Sequence, residues 1–331
     1  AMTDDVLSQV LRTLHIAGGL FFRAQLHVPF AVRSLPLDEL RALHAPAADH
    51  VLPFHIVTRG RIVFRVRGHT NVELDAGDVI VLPQGTLHEL VDAPGRTAIP
   101  VSALEHELEG DPPTLVHGGE GPESEALCGF FTVGGKVFSP LLDALPPVLL
   151  VRRGSERTAW IATTFRKVFG EMASARPGAQ ALVERLAGAL FLDVVRAHLD
   201  ASPARGWLAG LADPVVGRAL EALHAHPERA WTVAALARHA GASRSRLAER
   251  FAAAVGRSPM RYLAAWRVEV AAERLLDPSV AIAEVAADVG YASEAAFNRA
   301  FKRHTGVPPA RWRARAQNRG PRDPRPREAP G

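Results

Sequence analysis

The sequence predicts an α+β protein: a β-barrel with a helical extension, followed by an all-α domain with two helix-turn-helix units. Three observations predict it. Between residues 20 and 100, short Val- and Ile-rich runs are broken by Gly and Pro at intervals of about 8–12 residues, the rhythm of a small barrel or sandwich. From about residue 139 the apolar period becomes helical. Near the C-terminus a two-helix pattern occurs twice, 49 residues apart from Gly241 to Gly290.

The elements follow in order. The first 22 residues are acidic and then apolar, the wrong order for a secretory signal. No run of 18 apolar residues occurs, which excludes a helical membrane span. The single cysteine, Cys128, excludes an internal disulfide and suggests a cytoplasmic chain. VLPFHIVTRGRIVFRVRG and HTNVELDAGDVIVLPQGTLHEL read as strands, with Ile62, Phe64 and Val66 alternating against Arg61, Arg65 and Arg67. Residues 101–125 read as loop and CGFFTV as a further strand. SPLLDALPPVLLV reads as a helical turn and a connection. Two amphipathic helices follow, SERTAWIATTFRKVFGEMASA and GAQALVERLAGALFLDVVRAHLD. In the second, Leu182, Leu186, Leu190 and Val194 form an apolar stripe, either core or subunit interface. SPARGWLAGLAD reads as a linker, Pro214 to Trp312 as helical, and PRDPRPREAPG as disordered. The expected domains are 1–150 (barrel), 151–205 (helical dimerisation or linker segment), 206–315 (DNA-binding domain) and 316–331 (tail).

Charge separates these parts. Residues 231–320 carry 15 Lys and Arg against 7 Asp and Glu, whereas residues 1–230 carry 21 against 26. A basic domain beside an acidic one suggests a polyanion partner for the basic part alone. Each copy of the repeat, TVAALARHAGASRSRLAERFAAAVG and AIAEVAADVGYASEAAFNRAFKRHTG, has an Ala-rich helix, a Gly for a left-handed turn, a Ser to cap a second helix, and a closing Gly. Leu247 and Phe251, like Phe297 and Phe301, recur at i, i+4 and pin the second helix to a core. Its other face carries Arg244, Ser245, Arg246, Glu249 and Arg250 in one copy, and Glu294, Ala295, Asn298, Arg299, Lys302 and Arg303 in the other. Arg and Asn can fork onto base edges, and Lys and Arg onto phosphate. The helix between the copies, with Tyr262, Trp266 and Val270 on one face, is long enough to space them one DNA turn apart, roughly 34 Å.

Residues 214–313 resemble the DNA-binding domain of AraC/XylS-type transcription regulators. The resemblance rests on WTVAALARHAGASRSRLAERF, VGRSPMRYLAAWRVEVAAERLL and IAEVAADVGYASEAAFNRAFKRHTGVPPARWR. It implies seven helices, promoter binding, and activation more often than repression, with RNA polymerase as a partner. By register it places Arg244, Ser245, Ala248 and Glu249 towards bases in the first unit, and Glu294, Ala295, Asn298 and Arg299 in the second. Glu249 departs from the family, where many members carry a basic residue.

GDVIVLPQGTLH, residues 77–88, resembles the second cupin motif. The first motif is reduced to His55, ahead of the turn Arg59-Gly60. Together with GGEGPESEALCGFF, the layout resembles the cupin-type domain of one branch of AraC-like regulators. His55, His88 and Cys128 could converge; imidazole and thiolate suit Zn²⁺ or another divalent metal with one open position. The alternative is two half-buried histidines and a buried thiol. Without a metal, a cavity lined by Phe54, His55, Phe64 and His88 would take a small-molecule effector.

Three functions follow. The first is a one-component transcription regulator, a homodimer binding double-stranded DNA under the control of that effector or metal. The second is a metal-dependent cupin enzyme with a DNA-binding tether, although no G-x-S-x-G, phosphate loop or H-E-x-x-H is present. The third is a nonspecific architectural DNA binder. The regulator is the expected function.

Overall fold

The computed structural model describes residues 5–46, 48, 50–110, 113–134, 138–154, 156–174, 176–201 and 206–318. The described residues divide into two compact units, one within 16–134 and 145–202, the other within 1–15, 135–144 and 203–322. This differs from the expected contiguous domains, because the N-terminal helix and the segment after residue 134 group with the C-terminal residues. Of the expected disordered tail, residues 316–318 instead complete a helix, and the rest lies outside the described residues.

Twelve strands are described: β1 (His15–His27), β2 (Ala31–Arg33), β3 (His50–Arg59), β4 (Arg61–Val66), β5 (Val72–Asp75), β6 (Val79–Val81), β7 (His88–Val91), β8 (Ile99–Pro100), β9 (Leu108–Glu109), β10 (Thr114–Gly118), β11 (Glu123–Gly134) and β12 (Leu149–Val151). They form two sheets, ordered β12-β6-β3-β11-β1-β10-β9 and β5-β4-β7-β2-β8. The expected closed barrel is therefore corrected to a two-sheet sandwich: no pairing joins the sheets among the described residues, and the margins β8 and β9 are two residues each. The core lies between the sheets. Leu26, Val57, Ile80 and Ala126 from one face Ile62, Phe64, Leu74 and Leu90 from the other. The predicted alternation of β4 holds for Ile62, Phe64 and Val66, all buried. The GGEG stretch also finds its reason here. A Cβ on Gly118 would stand 1.9 Å from the His27 carbonyl oxygen, and one on Gly119 or Gly121 would stand 2.5 Å from Pro29 or the Val28 carbonyl oxygen.

Thirteen helices are described. Between and after the strands come α2 (Leu37–His44), α4 (Glu156–Ser174) and α5 (Ala179–Ala201) in the sandwich unit. The other unit holds α1 (Val6–Thr13), α3 (Pro140–Ala144), α6 (Gly206–Ala212), α7 (Val216–Ala225), α8 (Val233–His239), α9 (Arg244–Val255), α10 (Pro259–Arg274), α11 (Ile282–Asp288), α12 (Glu294–Thr305) and α13 (Pro309–Asn318). Of the apolar stripe of α5, Leu190 and Val194 are buried core and Leu182 and Leu186 half-buried; beside it Phe191 and Val195 are buried, with Phe191 edge-on to Phe131 of β11. Phe165 of α4 packs on Phe54 and Phe131. The two long helices thus cover the outer face of the larger sheet. The expected linker SPARGWLAGLAD instead contains α6, whose Trp207 and Leu208 are buried. Its residues 202–205 lie outside the described ones.

α8 with α9 and α11 with α12 are two helix pairs built alike. Gly241 and Gly290 take φ of 67° and 84° at the turns. The Ser243 hydroxyl accepts from the Arg246 amide and the Ser293 hydroxyl from the Ala296 amide, both at 3.2 Å, so each second helix starts on a side-chain cap. Each ends on a left-handed glycine, Gly256 or Gly306. α10 joins the pairs and is buried nearly all round, with Tyr262, Leu263, Trp266, Val268 and even Glu269 out of water.

Candidate functional site

The sandwich places three of the expected residues in contact. Cys128 on β11 lies directly opposite His55 on β3, so their side chains share the inner face of the larger sheet. His88 opens β7 of the smaller sheet, pairs with Val66, and reaches across the core. The motif around it works as the spacing suggested. Gly77 (φ 100°) turns towards β6, and buried Asp78 just before that strand accepts from the amides of Asp75 and Arg153. Gly85 (φ 63°) packs so tightly on Leu37 that a Cβ would come within 2.5 Å of it.

The contacts form a chain. Cys128 Sγ lies 3.1 Å from His55 Nδ1, His55 Nε2 lies 2.6 Å from His88 Nε2, and His88 Nδ1 lies 2.9 Å from the Thr86 carbonyl oxygen. A carbonyl only accepts, so His88 Nδ1 carries the hydrogen, and in the neutral ring Nε2 is the acceptor. His55 Nε2 therefore donates to it, and His55 Nδ1 accepts from the Cys128 thiol. Burial pushes both imidazoles down, His88 to about 4 against an opposing pull from the Thr86 carbonyl, and His55 further helped down by the neighbouring His88. Burial also pushes the Cys128 thiol up. All three groups are thus uncharged at neutral pH.

This arrangement does not fit the expected divalent metal. His55 spends one ring nitrogen on Cys128 and the other on His88, and a single ion can take only one of them. Among the described residues no group of three or more His, Cys, Asp and Glu is arranged to hold a metal ion. His117 lies elsewhere, on Glu107 at 2.8 Å.

The chain borders a cavity of about 330 Å³ between the sheets, lined by Leu26, Val32, Leu40, Leu90 and Leu115 among others. His55 and His88 line it as expected; Phe54 and Phe64 do not. Phe54 is the strand neighbour of His55, so it must point to the opposite face, where it meets Phe131 and Phe165. Phe64 stands behind His55, ring centroids 5.2 Å apart. Sequence reasoning missed the contributions of β1, α2 and the turn over Val101–Glu107, including Phe22, His44 and Ser102. No motif marks them.

In the helical unit, Arg244, Ser245, Arg246 and Glu249 on α9 are exposed and Ala248 is half-buried. On α12, Glu294, Ala295, Arg299, Lys302 and Arg303 are exposed, with Asn298 half-buried and 3.5 Å from Glu294. Arg250 departs from this pattern. Its guanidinium is bound by Asp213, whose other oxygen accepts from the Val215 and Val216 amides at the start of α7. Arg250 therefore anchors α9 and is withdrawn from the set of free cations on that face. Glu249 makes no ion pair among the described residues.

Comparison with known proteins bears on both units. A cupin family model matches residues 5–200, and a helix-turn-helix domain model matches residues 236–315. A putative AraC-like transcription regulator of Streptomyces lividans is 37% identical over 270 residues, 80% of this chain and 88% of that one. The chain belongs to the AraC-like transcription regulators. The HTH-type transcriptional regulator AlkR of Acinetobacter baylyi is 28% identical over 316 residues, covering 93% of this chain and 99% of the relative. Among solved structures, the DNA-binding domain of AdpA in complex with a target DNA is 34% identical over 34% of this chain and 99% of that one, with a TM-score of 0.31. As an AraC-like regulator, the chain acts through a helix-turn-helix DNA-binding domain and is not an enzyme. Among the described residues no helix is long and apolar enough to cross a membrane.

Proposed function

We propose that this regulator grips double-stranded promoter DNA with both helix pairs, α9 and α12 entering successive major grooves, and that a small molecule in the sandwich cavity controls the grip. One observation carries the reading: two second helices, each capped by serine and pinned by buried aromatic or aliphatic side chains, expose a polar face rich in arginine from one compact unit. Buried α10 joins them as a stiff spacer. On that reading Arg244, Ser245, Ala248, Glu249, Glu294, Ala295, Asn298 and Arg299 face bases, while Arg246, Lys302 and Arg303 serve phosphates. A ligand that fits one arrangement of the sensor better than another shifts the DNA-competent population.

The reading includes a homodimer and contact with RNA polymerase. Since Leu190 and Val194 of the α5 stripe are core, support for a dimer surface falls to its half-buried Leu182 and Leu186 and to exposed Trp160. Sedimentation that finds monomers alone at high micromolar concentration removes the dimer. The deciding experiment selects duplexes from a random pool with the full chain. The expected product is a two-box site with centres about 10 base pairs apart, preferred over random DNA by about 10³-fold or more. Recovery of a single box, or of no preferred sequence, overturns two-groove binding.

A further inference from the structure

The cavity between the sheets has an uncommon electrical character. Among the described residues no Asp, Glu, Lys or Arg lines it. Its most polar wall is the Cys128–His55–His88 chain, and every ring and thiol hydrogen of that chain is already committed: thiol to His55, His55 to His88, His88 to the Thr86 carbonyl. A bound molecule meets a sulfur lone pair there, but no free N–H. The remaining polar groups are modest. The Ser34 hydroxyl oxygen accepts from the His88 amide at 3.2 Å, leaving its own hydrogen to give; Ser102 stands at the exposed rim, and His44 closes α2. The other walls are aliphatic or aromatic.

A carboxylate or sulfonate entering this space would shed its water, find no Lys or Arg, and meet no uncommitted N–H on the His55–His88 wall. Protonating His55 or His88 to supply the cation would break the chain, since each ring's acceptor nitrogen is the one its neighbour's hydrogen occupies. We propose that the cavity takes an uncharged, largely apolar ligand with at most one hydroxyl- or carbonyl-type group, and that the buried His–His–Cys chain is a charge-excluding wall. The proposal rests on the cavity being the effector site.

The test uses the full chain near pH 7.5 with N-phenyl-1-naphthylamine, an uncharged fluorophore, as reporter. Two competitors share one ring system: 2-naphthylmethanol, which is neutral, and 2-naphthoate, which is not. The alcohol is expected to displace the reporter at least about 30-fold more effectively than the carboxylate. Filling the space with Leu115→Trp, or more mildly with Ala24→Ile, is expected to weaken the reporter and the alcohol together, and thermal melting shows which variants fold. Carboxylate displacing as well as the alcohol, with both sensitive to the filling substitutions, overturns the ligand class and keeps the effector site. If the carboxylate displaces as well as the alcohol and loses that ability in His44→Gln, that histidine is the cation and the class is likewise overturned. No reporter binding, or binding indifferent to a folded filling variant, overturns the effector site itself and the ligand class with it.

Discussion

His88 shows how a single residue ties the sensor to pH. Its folded value is near 4, against 6.5 for an exposed imidazole, because burial opposes its charge. The unfolded chain therefore binds a proton that the folded chain refuses between about pH 6.5 and 4. Stability from this group is complete above pH 6.5 and is lost as pH falls through that window, by roughly 3 kcal/mol in all. Melting of the sandwich unit should become markedly easier from pH 7 to pH 5, and His88→Gln should flatten that dependence; an unchanged slope in the variant would remove His88 as its source. At the other end of the chain, Asn298→Ala should relax preference at one base pair, whereas Lys302→Ala should weaken all sequences alike and lower the salt slope by about one. Equal losses across all sequences for both would take Asn298 out of base readout. The contact of His55, His88 and Cys128 was legible in the sequence because a Gly-Asp turn, a Pro-x-Gly corner and strand pairing leave little freedom in where they point. Phe54 was misplaced because its adjacency to His55 on a strand dictates opposite faces, a rule that the run of apolar neighbours in VLPFHIV obscures.

At the scale of elements, the duplicated helix pairs were the most legible part, since turn glycine, capping serine and i, i+4 aromatics each have a mechanism visible in one dimension. The two turn glycines nonetheless differ in a way only the fold reveals. Both are left-handed, which alone costs another residue about 1–2 kcal/mol. A Cβ on Gly241 would meet only the end of the Arg218 side chain at 3.4 Å. A Cβ on Gly290 would land 2.3 Å from the Glu228 carbonyl oxygen, which cannot move aside without its strand of chain. Gly290→Ala should thus destabilise the helical unit well beyond Gly241→Ala, the latter by about 1–2 kcal/mol. Urea unfolding of both variants decides it, and equal midpoints would mean that the Glu228 segment yields freely. The elements that escaped the sequence are the short ones. Helix α1 buries only Val6 and Val10, α2 only Leu40, and β12 is three residues long, so none carries enough periodicity to stand out. The sheets were legible as strands but not as open sheets, because closure depends on marginal pairings that no residue pattern announces.

At the scale of the whole molecule, the division into units does not follow the chain, and this sets what a truncated protein can do. Residues 6–14 and 138–144 belong with the DNA-binding helices. Val6, Val10, Leu141 and Leu142 are buried in that unit, the Phe138 ring stands edge-on to Tyr262 beneath the Arg257 guanidinium, and the Phe138 amide donates to Glu269 of α10. Glu269 is nearly inaccessible to water, and a buried carboxylate deprived of a donor carries a desolvation cost of about 1.5–3 kcal/mol. Uncovering the apolar partners of those side chains adds on the order of 1.5 kcal/mol or more for each large one. A fragment limited to residues 206–318 should therefore be less stable than the same helices in the intact chain by about 5 kcal/mol, a large share of what a domain of this size possesses. Trp207 and Trp266 are buried in that unit and report its unfolding in both proteins. Glu269→Gln, which replaces the carboxyl by an amide, should restore part of the fragment's loss while giving the intact chain no such gain. Were fragment and intact chain to unfold at the same urea concentration, residues 6–14 and 138–144 would be passengers on this unit, and its helices would be self-sufficient.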